Sequence, residues 1–184
     1  MKNYKAIRRL KDFSSNELNS FASLFSSKQS LINNDQTAFM CAAFNPDHYL
    51  QNEDKISEFF ANGYFQPLIV TNYKLLALLL VVSKKTEYSF TDFSFKEDGE
   101  DAELEKEAVE EMLTRSEDVV NISNFLKINS QKIQYIELQL HSHQNRIRVY
   151  SSGTISLTNS FDKKLYPYIL SIVQFLFTGS MTEL

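Results

Sequence analysis

The chain has no tryptophan, one cysteine (Cys41), four glycines and three prolines in 184 residues. A lone cysteine excludes an intramolecular disulfide. The opening stretch Met1-Lys-Asn-Tyr-Lys-Ala-Ile-Arg-Arg-Leu10 lacks the apolar core of a secretory signal, so a reducing cytoplasmic or nuclear setting is expected. So few glycines and prolines count against a barrel or sandwich with many tight turns, and favour helices mixed with a few strands. Long apolar runs are missing as well. The longest, Leu75 to Val82, is far short of the roughly 20 residues of a membrane span, and no membrane partner is expected.

Templates for catalysis are also absent. There is no Gly-rich phosphate loop, no Gly-x-Ser-x-Gly elbow and no His-Glu-x-x-His pair. His141 and His143 alternate, which on a strand places them on one face, but two ligands do not make a site, and Cys41 has no cysteine or histidine at ligand spacing. Asp47 and His48 are neighbours in sequence only. No metal and no other cofactor is therefore expected, and an enzyme would have to assemble its site from scattered residues.

What is present is an apolar content of 43% with 15 Phe and 9 Tyr, the composition of a globular chain with an aromatic-rich core. The net charge of −4 is unevenly spread. Residues 97–111 hold nine acidic side chains against Lys106 alone, so the rest of the chain is net positive. Consecutive exposed acids read as the solvated face of a helix over 101–115, with Leu104, Ala108 and Met112 turned inward at intervals of four.

Earlier in the chain, Ser14 followed by Glu17 is a capping box, and Phe13 with Leu18 forms a hydrophobic staple around it. A helix near 15–27 follows, with Leu18, Phe21, Ala22 and Phe25 on one face. A first helix is expected over 3–12, a buried strand over 37–44 and a short helix from Asn52 that buries Ile56, Phe59 and Phe60. That helix ends at Asn62-Gly63, where glycine suits a left-handed cap. Tyr64 to Val70 reads as a strand whose Pro67 marks an edge or a start. Leu75 to Val82 reads as a buried helix. Glu87 to Phe95 reads as a strand with a bulge, because Tyr88 and Phe90 alternate out of phase with Phe93 and Phe95.

The best-patterned block runs from Ile133 to Phe177. In Ile133-Gln-Tyr-Ile-Glu-Leu-Gln-Leu140, Ile136, Leu138 and Leu140 share a face, and Arg146-Ile-Arg-Val-Tyr150 alternates basic with apolar. Ser151-Ser-Gly153 turns the chain, Thr154 to Thr158 alternates again, and a helix over 161–177 buries Leu165, Ile169, Ile172, Val173 and Leu176. Pro167 sits in its first turns, where a missing N–H is tolerated. Arg146, Arg148 and Tyr150 fall on one strand face. They suit either a nucleic-acid backbone and base or pairing across to Glu137 or Gln139 on the neighbouring strand.

Val149-Tyr-Ser-Ser-Gly-Thr-Ile-Ser-Leu-Thr158, with the strand from Ile133 before it and the helix from Leu165 after it, resembles one repeat of the TATA-binding-protein family. The likeness covers about a third of the chain. It implies a sheet that grips the DNA minor groove with aromatic wedges. Tyr150 and Ile133 stand where the family has wedge phenylalanines, and Thr154 stands where a lysine is usual. Only one such repeat is visible, since residues 37–82 carry no Ser-Gly turn.

The expected fold is therefore α+β, an antiparallel sheet covered on one face by helices. Residues 1–97 would form a helical N-terminal part with two strands, and 98–184 the acidic helix, strand block and closing helix, with a boundary near 98–100. The leading expectation for function is a non-enzymatic binding or assembly subunit acting through protein partners. The alternatives are a divergent nucleic-acid-binding transcription factor using Ile133, Arg146, Arg148 and Tyr150, and an enzyme with an unrecognised site.

Overall fold

The computed structural model describes residues 1–28, 30–33, 37–82, 84–96, 103–108, 111, 121, 124, 133–141, 145–158 and 163–181. In chain order the elements are β1 (Lys2–Arg9), α1 (Ser15–Ser23), β2 (Leu31–Asn33), β3 (Phe39–Ala43), α2 (Pro46–Gln51), α3 (Glu53–Ala61), β4 (Phe65–Pro67), α4 (Asn72–Val82) and β5 (Tyr88–Phe95). A helical segment at 103–108, β6 (Ile133–Leu140), β7 (Asn145–Tyr150), β8 (Thr154–Leu157) and α5 (Tyr166–Thr178) complete them. The protein is α+β, and the strand pairs are antiparallel. By contact the chain divides into one unit of residues 1–69 with 152–184 and a second of 70–151. The boundary expected near 98–100 lies outside the described residues.

In the first unit the strands run β2-β3-β1-β8, and β4 also pairs with β1. The expected helix over 3–12 is a strand instead, and a central one. β1 pairs with β3 along one edge; along the other, Lys2–Lys5 pair with β8 and Ile7–Arg9 with β4. Ala6 is where β8 and β4 meet. Its N–H donates to Gly153 O (3.2 Å) and its carbonyl accepts from Leu68 N–H (3.1 Å). Tyr4, Ala6 and Ile7 are all buried, so apolar positions fall on both faces and the alternation that marks a half-exposed strand is lost.

Helices cover both faces of this sheet. Ile7, Met40 and Ala42 meet Leu18, Phe21 and Phe25 from α1 and its C-terminal turn and Ile56 from α3. Phe65 lies between two rings on that side, stacked on Phe21 at 3.8 Å and on Phe13 at 4.7 Å between centroids. α5 lies on the opposite face, where Phe177 stacks on Phe39 at 5.5 Å. The expected apolar face of α5 is fully buried, Leu165 included, and Gly179 caps it in the left-handed region.

Local start and stop signals are realised closely. Ser14 Oγ accepts from Glu17 N–H (3.3 Å), and Glu17 Oε2 accepts from the Ser14 hydroxyl (2.6 Å) and from Ser14 N–H (2.8 Å), the hydroxyl first and then the N–H drawing the exposed Glu17 carboxyl below its ordinary pKa. α1 ends at Ser23, earlier than 27. Asn45 caps α2 ahead of Pro46, and α3 buries Ile56 while Phe59 and Phe60 stay half-buried beside the core. Gly63 follows with φ +65.

In the second unit β5, β6 and β7 form a meander, with α4 packed on β5 and β6. Leu75, Leu76, Leu78, Leu79 and Val82 of α4 are buried with Ile136, Leu138, Leu140, Ile147 and Val149. The expected bulge is present: the register of β5 against β6 shifts between Phe90 and Asp92 and again between Ser94 and Phe95. One expectation fails. Leu104 is 63% exposed, whereas Glu105 and Lys106 are half-buried, so segment 103–108 turns a charged side inward. Met112, placed on the same stripe, lies outside the described residues.

Gly153 carries φ +74, and a Cβ there would collide with the Leu68 carbonyl oxygen where β8 and β4 abut. Backbone strain and a rigid backbone obstacle add, so Gly153→Ala should cost well over the ~1 kcal/mol of a simple left-handed penalty. Urea unfolding is the check; Gly63→Ala, with positive φ but open space around its Cβ, should cost less.

Candidate nucleic-acid interface

Strand alternation sorts β6 and β7 into two faces. Ile136, Leu138 and Leu140 with Ile147 and Val149 form the core side, each at 0% exposure. Tyr135, Glu137 and Gln139 with Arg146, Arg148 and Tyr150 form the other, in direct register as Tyr135 opposite Tyr150, Glu137 opposite Arg148 and Gln139 opposite Arg146. The structure thus brings Arg146, Arg148 and Tyr150 together as the spacing requires. Ile133 is placed differently: it is 1% exposed, and its N–H donates to Asn72 Oδ1 of α4 (3.2 Å), so its side chain is not displayed as a wedge.

The two arginines converge on one carboxylate. Arg148 Nε donates to Glu137 Oε2 at 2.6 Å, and Arg146 Nη1 to Oε1 at 3.3 Å, while Thr91 Oγ1 donates to Glu137 at Oε1 (3.1 Å). Glu137 is 1% exposed. A carboxylate so far from water needs such partners, and removing one from a buried pair typically costs about 3–5 kcal/mol. For Arg148 to engage a phosphate it would have to leave Glu137 behind. Arg146 is the more solvated of the two, with 55% of its side chain exposed against 26% for Arg148.

The network continues across the sheet. The Arg148 guanidinium lies 4.7 Å from the centre of the Tyr135 ring, and the Tyr135 and Tyr150 rings are 5.4 Å apart. Tyr135 donates its hydroxyl proton to Asp92 Oδ2 (2.9 Å), and Asp92 Oδ1 pairs with Lys106 at 3.3 Å. Burial works against the Arg148 charge, but the hydrogen bonds to Glu137 and Tyr150 outweigh it and hold the guanidinium pKa above its ordinary value. Burial, then the bond to Asp92, pushes the Tyr135 hydroxyl up to about 12. Tyr135, Asp92 and Thr91 were not singled out from sequence; the signal for them was the bulged β5, whose shift sets Asp92 opposite Glu137.

The remaining sequence candidates are held by local bonds. His48 Nε2 lies 2.8 Å from Ser23 O, and His141 Nδ1 lies 2.9 Å from Thr86 O. Cys41 is at 0% exposure, with its thiol pKa raised by burial. His143 lies outside the described residues. Among those described, no group of three or more His, Cys, Asp or Glu is placed to hold a metal, and no helix is long and apolar enough to cross a membrane. Thr154, where the TATA-binding-protein likeness would have a lysine, is 8% exposed and its hydroxyl accepts a hydrogen bond from Ser152 Oγ (3.1 Å).

Compared with protein-family models, curated proteins and solved structures, the chain matches none.

Two measurements test the network. Arg148→Met should destabilise the protein by about 2 kcal/mol, less than the full buried-pair figure because Arg148 is partly solvated, and Arg146→Met by under ~1 kcal/mol. Equal urea midpoints for the two would contradict this geometry. Because the Tyr135 pKa is raised above its ordinary 10.0, its stabilising contribution is complete below pH ~10 and is lost as pH rises towards about 12. Burial also raises Tyr4, Tyr49 and Tyr166, so ultraviolet titration should show several late tyrosinates, and Asp92→Asn should bring one of them earlier.

Proposed function

We propose that the protein is a non-enzymatic binding subunit that works through protein–protein contacts. The observation that carries this reading is the outward Leu104. Segment 103–108 directs Lys106 to Asp92 and leaves Leu104 63% exposed, flanked by exposed Glu103 and Glu107. A single exposed leucine is ordinary on a protein surface, but here the helical turn is oriented by an ion pair and its apolar residue is set among acids. Such a face suits an apolar anchor with a basic rim on a partner protein, and it would repel a phosphate backbone.

The competing reading is a nucleic-acid binder using Arg146, Arg148 and Tyr150. The half-exposed Arg146 favours it; the buried Glu137 between both arginines weighs against it. Purification of the tagged protein from its own cells, with and without nuclease, separates the two. Stoichiometric partners should survive nuclease and fall at least about tenfold with Leu104→Ser, a change that should leave stability within ~0.5 kcal/mol. Companions that disappear with nuclease, and are indifferent to Leu104→Ser, would refute the protein-binding reading.

A further inference from the structure

We propose that the open edge of β2 is a docking slot for an extended acidic segment of a partner protein, which adds a strand to the sheet of the first unit. This rests on the protein-binding reading and supplies a place and a partner chemistry. β2 ends the strand order, and among the described residues its only strand partner is β3. Ala43 N–H donates to Ser30 O at 2.8 Å, making Ser30 and Ala43 a hydrogen-bonded pair. Antiparallel pairs alternate, so the N–H and C=O groups of Leu31 and Asn33 point away from β3, to the outer edge.

That edge opens into a groove of about 630 Å³. One wall is Leu18 and Asn19 of α1, which packs on the sheet face carrying Met40 and Ala42. The other is Lys163, in the 3-10 turn that leads into α5, with Leu170 of α5, on the face carrying Phe39. The slot therefore lies beside β2 in the plane of the sheet, bracketed by a helix from each layer, which is the space an added strand occupies. An extended chain placed there would exchange backbone bonds with Leu31 and Asn33 and send alternate side chains towards α1 and α5.

Charge selects the occupant. Among the described residues, Lys163 is the only charged side chain that lines the groove, and it makes no ion pair. β2 is three residues long, about 10 Å, so it offers only a few backbone bonds. Discrimination must then come from side chains: an apolar one against Leu18 and Leu31, an acidic one beside Lys163.

The probe is a fluorescein-labelled peptide, Ser-Glu-Val-Glu-Val-Glu-Ser, followed by anisotropy on the full chain. Its lysine counterpart and a version N-methylated at alternate residues leave the protein unaltered. The acidic peptide should bind saturably, both counterparts at least ~10-fold more weakly, and Lys163→Glu, an exposed change, should reverse the charge preference. Absence of saturable binding up to millimolar peptide, indifference to N-methylation, or no effect of Lys163→Glu would each overturn the slot. So would sedimentation showing a dimer that the acidic peptide cannot dissociate, which would assign the edge to a second copy. A failed slot with nuclease-resistant partners still co-purifying leaves the protein-binding reading standing; loss of those partners sinks that reading separately.

Discussion

The backbone ladder of β1 is the constraint on which the first unit depends. A buried strand must satisfy its N–H and C=O groups on both edges, and β1 does so with three different strands. Two of them, β8 and β4, come from distant parts of the chain and share one edge, handing over at Ala6. That arrangement requires the close approach of Gly153 to Leu68, and it sets the two faces on which α1, α3 and α5 pack. Side-chain bonds along β1 accompany this burial: Arg9 donates to Thr37 O, and Lys5 Nζ donates to Ser152 O (2.8 Å), its pKa lowered by desolvation.

In the second unit the corresponding constraint is electrostatic. A carboxylate at 1% exposure is tolerable only with charged and hydrogen-bonding partners, and Glu137 takes them from β7 and β5 together. The same side chains that look like a phosphate-reading set in one dimension thus lock three strands in register. Their geometry shifts the weight of functional argument elsewhere, to the outward Leu104 and to the edge of β2 that no described strand covers. The first is an apolar side chain set among acids by an ion pair, and the second is a strand edge with no second strand neighbour among the described residues.

Patterns that act over a few residues were legible. The capping box at Ser14 and Glu17, the Gly63 stop, the bulge in β5, the alternation in β6 and β7 and the apolar stripe of α5 all follow from neighbouring residues and local geometry. The α+β class follows from them. β1 was not legible, because burial on both faces leaves Tyr4, Ala6 and Ile7 without a period of two, and its basic residues imitate a helix face. Leu104 was misplaced for a related reason. Helical periodicity says which residues share a face, but it does not say which face meets the sheet, and the Lys106–Asp92 pair reversed the hydrophobic expectation.

The sequence by itself determined where chain segments start, stop and alternate, since those are properties of residues within one or two turns of each other. It also named both readings of Arg146 and Arg148, cross-strand pairing and phosphate contact, without deciding between them. Only the tertiary structure decided that Glu137 is buried between them, that Ile133 is covered, and that β2 ends the strand order among the described residues, with α1 and α5 lining the groove beside it. Those outcomes depend on which elements meet across long sequence separations, and such meetings are selected by the joint burial of apolar faces and the pairing of backbone and charge, not by any local signal.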